Sequence, residues 1–297
     1  MRILVPVDGS ASSKRIIEFL GSRVSIPGEK PEIELLNVQY SIPEGIVQRF
    51  GMEAVKEVYE SEGRRVFDAL APALEAAGLK CGKKVLYGEF GKAIAREADA
   101  FEADLIVMGT RGLSPIKSFF LGSVSNTTLQ YTTRPMLLIR DVVPPVKANL
   151  RVAIAADGSD YAVAGARFIA KHHALFGADP TVAVVHVSPD FRSIVAGSEM
   201  DFVNPVNTPE IFAKEQEKLF RDATDPVIAE LKKEGIAAEA VRLEGEPAES
   251  ITAWAKDNAD LIIMGSHGYG NFTAAVLGST AMKIASSCEL PILIVRH

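Results

Sequence analysis

The chain has 297 residues, 47% of them hydrophobic, and a formal charge of −6. That length fills one large core or two of ordinary size. The acidic balance, with no run of Lys or Arg, excludes the electrostatic footprint of a nucleic-acid or anionic-membrane binder. No apolar run approaches the ~20 residues of a membrane span, and Met1–Pro6 has no signal-peptide pattern, so a soluble cytoplasmic protein is expected. The two cysteines, Cys81 and Cys288, form no CxxC or Cys/His cluster and are read as ordinary reduced side chains. No metal site is expected.

The first apolar run, Ile3 to Val7, ends in Asp8-Gly9-Ser10, the form of a buried parallel strand turning into a capped helix. A helical pattern follows over about 12–20, a second strand over 33–38, and a long helix over 47–77 closed by Gly78. A weaker third strand near 83–87 precedes a short helix from about Lys92. The fourth strand, Asp104 to Met108, runs straight into a glycine motif, after which come a helix from Gly122 and a last strand in Pro135 to Arg140. The same order then returns. Val152 to Ala156 ends in Asp157-Gly158-Ser159, helical and strand patterns occupy 162–176 and 181–187, and a helix over 209–234 closes on Gly235. Strand 238–243, a helix from about Ala248, strand Asp260 to Met264, a helix from Gly278 and strand Pro291 to Arg296 complete the second copy. Strands alternating with such helices predict βαβ units, hence two five-stranded parallel sheets with helices on both faces. The boundaries are 1–141 and 150–297, with 142–149, containing Pro144-Pro145, as linker. The segment 188–207 is longer than its counterpart, 39–46, and is either a lid or a tolerated insertion.

The duplication is sharpest at the glycines. Gly109-Thr-Arg-Gly112, nine residues, then Gly122-Ser123 recurs as Gly265-Ser-His-Gly268, nine residues, then Gly278-Ser279. Glycines at these turns let backbone approach a ligand closely, and a helix opening at Gly122 or Gly278 offers free N–H groups and a positive dipole end to an anion. A phosphate chain suits such a pair of elements. If each sheet has the order 3-2-1-4-5, the ends of strands one and four flank the crevice where the order reverses. Asp8 and Gly109 then share one site, Asp157 and Gly265 the other. A carboxylate repels phosphate, so Asp8 belongs at the nucleoside end, accepting hydrogen bonds from ribose hydroxyls or an adenine amine. Alternatively it caps the following helix; recurrence as Asp157 favours ligand contact.

Taken together, the glycine spacing after a fourth strand and the Asp-Gly-Ser after a first resemble the universal stress protein domain, and the chain resembles its tandem two-domain form. The resemblance implies two Rossmann-like domains with ATP in the crevice. It assigns Pro6, Val7, Asp8 and the backbone of Val38 to adenine recognition. Met108, Gly109, Arg111 and Gly112 line ribose and phosphates, and Gly122, Ser123, Val124 and Ser125 hold the phosphate chain. In the second copy the set is Asp157, Val187, Met264, Gly265, His267, Gly268, Gly278, Ser279 and Thr280. Ala155 stands in place of Pro6 and Ala281 in place of Ser125, so the second site ranks below the first. The resemblance also implies that the two halves pair through their last strands as an intrachain pseudo-dimer; a further homodimer stays open.

Arg111 and His267 either meet phosphate or face water. Met108 and Met264 are read first as packing, His186 as a polar residue at a strand end. His172 and His173, adjacent on a helix, diverge by about 100° and are read as helix surface rather than a metal pair. No P-loop lysine, GxSxG elbow or spaced carboxylate pair points to a dedicated enzyme. An ATP-binding stress-response protein is therefore expected. The alternatives are an interaction module of the same fold without nucleotide, and a weak ATPase whose Mg²⁺ is carried by the phosphates. No protein partner is indicated.

Overall fold

The computed structural model describes residues 1–24, 30–110, 122–140, 147–188, 209–266 and 277–296. The first half comprises β1 (Arg2–Pro6), α1 (Ala11–Val24), β2 (Glu32–Gln39), α2 (Glu44–Phe50), α3 (Met52–Ala76), β3 (Gly82–Tyr87), α4 (Phe90–Ala100), β4 (Leu105–Gly109), α5 (Ser123–Tyr131) and β5 (Met136–Ile139). The second repeats it with β6 (Arg151–Ala155), α6 (Asp160–Lys171), β7 (Thr181–Ser188), α7 (Pro209–Lys233), β8 (Ala238–Glu244), α8 (Pro247–Asn258), β9 (Leu261–Gly265), α9 (Ser279–Ser287) and β10 (Ile292–Val295). Most of the 142–149 linker and of the 188–207 insertion lies outside the described residues. No helix among the described residues is long and apolar enough to cross a membrane.

Each half has the expected strand order, but the halves do not form separate sheets. They build one ten-stranded sheet, β3-β2-β1-β4-β5-β10-β9-β6-β7-β8. Pairing is parallel within each half, and β5 meets β10 antiparallel, with Leu138 opposite Ile292 and Met136 opposite Ile294. The cause is legible in composition. All eight side chains of these two strands are at most 2% exposed, and an apolar strand left at a sheet edge would present unpaired backbone groups to water. The outer strands β3 and β8 instead carry Lys83, Lys84, Glu239 and Arg242 and are largely exposed.

The two apolar layers run unbroken across both halves. On one face, Phe19 and Leu20 of α1, Leu70 of α3, Ile169 of α6 and Leu231 of α7 share a core. On the other, Ile94 of α4, Leu129 of α5, Ile251 of α8 and Ile284 of α9 share the second.

Two element boundaries differ from expectation. The helix expected over 47–77 is two helices, separated at Gly51, whose φ of 84° and ψ of 154° no helix accommodates. The helix expected over 162–176 ends at Lys171 and is followed by a single 3₁₀ turn, His173–Leu175. Gly78 and Gly235 close α3 and α7 in the left-handed conformation, at φ of 63° and 72°.

Candidate functional site

The strand order reverses on either side of β1 and of β6, so a crevice opens in each half beyond the ends of β1 and β4, or β6 and β9. The last ladder bond of β1 runs from the Val7 N–H to the Leu36 carbonyl, at 2.8 Å. In a parallel ladder alternate residues turn both backbone groups to the same neighbour. Leu36 faces β1, so Val38, two residues on, directs its N–H and C=O the same way, where β1 has already ended. The Ala156 N–H likewise bonds the Val185 carbonyl at 2.8 Å, which leaves Val187 facing the second crevice. Val38 and Val187 are thus edge groups able to read the polar rim of a planar base.

Asp8 sits at the mouth of the first crevice, half-buried. Its Oδ1 accepts from the Ser10 N–H at 3.0 Å and the Ser13 hydroxyl at 2.9 Å, while Oδ2 has no partner among the described residues. Both readings of Asp8 therefore apply to different oxygens: Oδ1 organises the turn, with Gly9 at φ 79°, and Oδ2 is available. Asp157 repeats the turn, accepting from the Ser159 N–H at 3.0 Å and the Ser159 hydroxyl at 2.5 Å; it is exposed. Pro6 is half-buried and Val7 buried beside this turn.

Across each crevice the glycine loop is tied at its base. The Gly122 N–H bonds the Thr110 carbonyl at 3.1 Å and the Gly278 N–H bonds the Ser266 carbonyl at 2.8 Å, so the chain leaves and returns at one point. Gly122 is required there, because a Cβ would lie 2.7 Å from the Thr110 carbonyl oxygen. The N-caps Gly122 and Gly278 supply no side-chain bond to α5 or α9. The first-turn N–H groups of Ser123, Val124 and Ser125, and of Ser279, Thr280 and Ala281, therefore have no acceptor among the described residues. An uncapped helix start of this kind is suited to an anion.

Ser125 is buried, and its hydroxyl donates to the Gly109 carbonyl at 3.0 Å. Its proton thus ties helix to loop, and Ala281 has no such group. Ser123 and Ser279 are exposed; Val124 and Thr280 are half-buried. Met108 and Met264, 4% and 3% exposed, belong to the core beneath the crevices. Gly109 and Gly265 end their strands at the crevice floor. Arg111, Gly112, His267 and Gly268 lie outside the described residues.

Sequence reasoning missed two pairs of contributors. Thr110 and Ser266 form the loop bases; their identical place after Gly109 and Gly265 was the available signal. Asn37 and His186 pin the two turns, the first donating from Nδ2 to the Val7 carbonyl at 2.8 Å and the second, through Nδ1, to the Ala156 carbonyl at 2.9 Å. His172 is not helix surface. Its side chain is 7% exposed, with Nε2 3.7 Å from Asp104 Oδ1, because the end of α6 packs against the other half.

The sequence of residues 1–140 and again of 149–296 matches the model of the universal stress protein family. The chain belongs to that family. A universal stress protein of Mycolicibacterium smegmatis is 26% identical over 300 residues, which covers 99% of this chain and 96% of that one. Another, of Thermus aquaticus, is 32% identical over 139 residues, 46% of this chain but 97% of its own length. A single relative of that size thus corresponds to one half of the present chain. The crystal structure of a universal stress protein from Archaeoglobus fulgidus superposes with a TM-score of 0.66 at 24% identity, covering 99% of this chain and 98% of that one. The tandem universal stress protein fold accounts for the whole length.

Proposed function

We propose that this universal stress protein binds ATP and acts as a nucleotide-dependent regulator of the stress response rather than as a dedicated enzyme, with 1–141 and 150–297 as its two nucleotide domains. The observation that carries this reading is the start of α5, uncapped among the described residues and set on a closed loop base, across the crevice from Asp8 Oδ2, which has no partner among the same residues. The backbone of Val38 would meet adenine, Asp8 the ribose, and the N–H groups of Ser123, Val124 and Ser125 the phosphates, with Arg111 and Gly112 over the phosphate chain. In the second domain Val187, Asp157 and the N–H groups of Ser279, Thr280 and Ala281 take the same parts, beside His267 and Gly268. Ala281 lacks the hydroxyl by which Ser125 ties α5 to the Gly109 carbonyl, so the start of α9 is held less firmly and the second site is expected to be the weaker.

Calorimetry with MgATP on the full chain tests the proposal. Wild type is expected to take up nucleotide, and Gly122→Val together with Gly278→Val to abolish it, since the added side chain at Gly122 must displace the Thr110 carbonyl. Absence of binding by the wild type, or unchanged binding by the double variant, refutes it.

A further inference from the structure

Each phosphate-facing helix ends against the opposite half. The Arg296 guanidinium, just beyond β10, donates from Nη1 to the Thr132 carbonyl at 2.8 Å, at the end of α5. Arg140, just beyond β5, reciprocates by donating to the carbonyls of Ala285 and, at 3.4 Å, Ser286 in the last turn of α9. A guanidinium is well placed at a helix C-terminus, where carbonyls lack intrahelical partners and the dipole is negative. Burial holds Arg296 below its ordinary value, with Tyr161 in the first turn of α6 opposing the shift. The Nε and Nη2 atoms of Arg296 are buried without a hydrogen-bond partner, so among the described residues the bond to Thr132 is the one that orients its guanidinium.

The residues just before these arginines hold the loop bases of their own halves. The Ile139 carbonyl accepts from the Thr110 N–H at 3.2 Å, and the Val295 carbonyl from the Ser266 N–H at 3.1 Å. One continuous path therefore starts at the first turn of α5, follows that helix to Thr132, crosses to Arg296, steps back to Val295, and reaches Ser266 and Gly278 at the second loop base. The mirror path runs from α9 through Arg140 and Ile139 to Thr110 and Gly122.

We infer that Arg140 and Arg296 are positioning residues that couple the two crevices, so that an anion drawn to the start of one helix alters the other half's loop base, Thr110–Gly122 or Ser266–Gly278. In its nucleotide-dependent form this rests on the ATP reading above. The path itself does not, because it is made of hydrogen bonds present without ligand. Coupling needs a shared element that both sites bias, and here that element is each helix held at one end by the ligand site and at the other by the opposite half's arginine.

Two measurements on the full chain test it. In the first, without nucleotide, amide hydrogen exchange is followed at Gly122 and Gly278, which neither arginine touches. Arg296→Gln is expected to speed exchange at both by about five-fold or more, and Arg296→Lys, which keeps the cation, by less. A merely local role would speed exchange only in the last turn of α5. In the second, the non-hydrolysable analogue AMP-PNP is titrated into Gly278→Val. Its first-site affinity is expected to differ from the wild type's by about five-fold or more, and the difference to vanish when Arg140→Gln and Arg296→Gln are present in both backgrounds. Unchanged exchange at Gly122 and Gly278 overturns the coupling. A wild type that takes up no AMP-PNP while the exchange effect stands overturns the nucleotide reading alone. Should Arg296→Gln fail to fold, Arg140→Gln, read at the same two amides, carries the same comparison.

Discussion

Asp260 holds the base of the second half together. Its carboxylate accepts from the Arg151 N–H at 2.9 Å, from the Arg151 guanidinium at 3.0 Å and from Lys147 at 3.1 Å, with its side chain 3% exposed. Burial pushes this carboxyl up, but the side-chain and backbone hydrogen bonds from Arg151 and the bond from Lys147 outweigh it, and it lies below the ordinary 3.8. A carboxyl depressed by folding contributes stability that is complete above its unfolded value and disappears as pH falls through the folded one. Stability should therefore drop below about pH 4. Asp260→Asn is expected to cost about 2 kcal/mol at pH 7 and less at pH 3, so that its urea midpoint moves toward the wild type's. A difference that is the same at both pH values would show that the contribution is not electrostatic. Asp104 stands at the equivalent place, accepting from the Arg2 N–H at 2.8 Å, and pairs at 3.0 Å with Lys171 of the other half. Its recurrence was visible in the sequence; its partner was not, because residues 67 positions apart meet only through the pseudo-twofold packing.

The break between α2 and α3 shows where a helical pattern misleads. Residues 47–77 read as one helix because apolar residues recur at helical spacing on both sides of Gly51. The glycine instead sits at φ 84°, and none of α2 is buried, so nothing in the core enforces continuity. A Cβ at Gly51 would meet nothing within 4 Å, which isolates the backbone contribution. Gly51→Ala is accordingly expected to destabilise by about 1–3 kcal/mol through the strain of a positive φ at extended ψ alone, read as a lowered urea midpoint. A neutral or stabilising result would mean that α2 and α3 can merge. The strands were the more legible elements. β4 and β9, wholly apolar up to their glycines, are buried in a parallel sheet, where a continuous apolar run is the expected signature. The weaker patterns of β3 and β8 have the complementary cause, since these are the outer strands, with no fully buried residue, and charged side chains (Lys83 and Lys84; Glu239, Arg242 and Glu244) interrupt their apolar runs.

At the scale of the whole chain, the two halves share one sheet and two continuous cores. Separating them would expose β5 and β10, whose side chains are buried throughout. Residues 1–141 produced alone are expected to self-associate through β5, pairing antiparallel with a second copy as β10 does here. Mixing with 150–297 should restore a heterodimer, as read by light scattering. Two soluble, non-associating halves would refute the claim that this strand pair holds the molecule together. The sequence by itself determined the duplication, the run of strands and helices in each half and the recurring glycine spacing, because strand burial and turn geometry depend on neighbouring residues; the strand order entered there only as a condition, and the pairing supplies it. Only the tertiary structure decided that the Ser125 proton is spent on Gly109, that His172 is buried against Asp104, and that Arg140 and Arg296 reach across to the opposite helices. Those contacts join residues from different halves or from opposite sides of a loop, and local patterning holds no record of distances set by how the two halves pack.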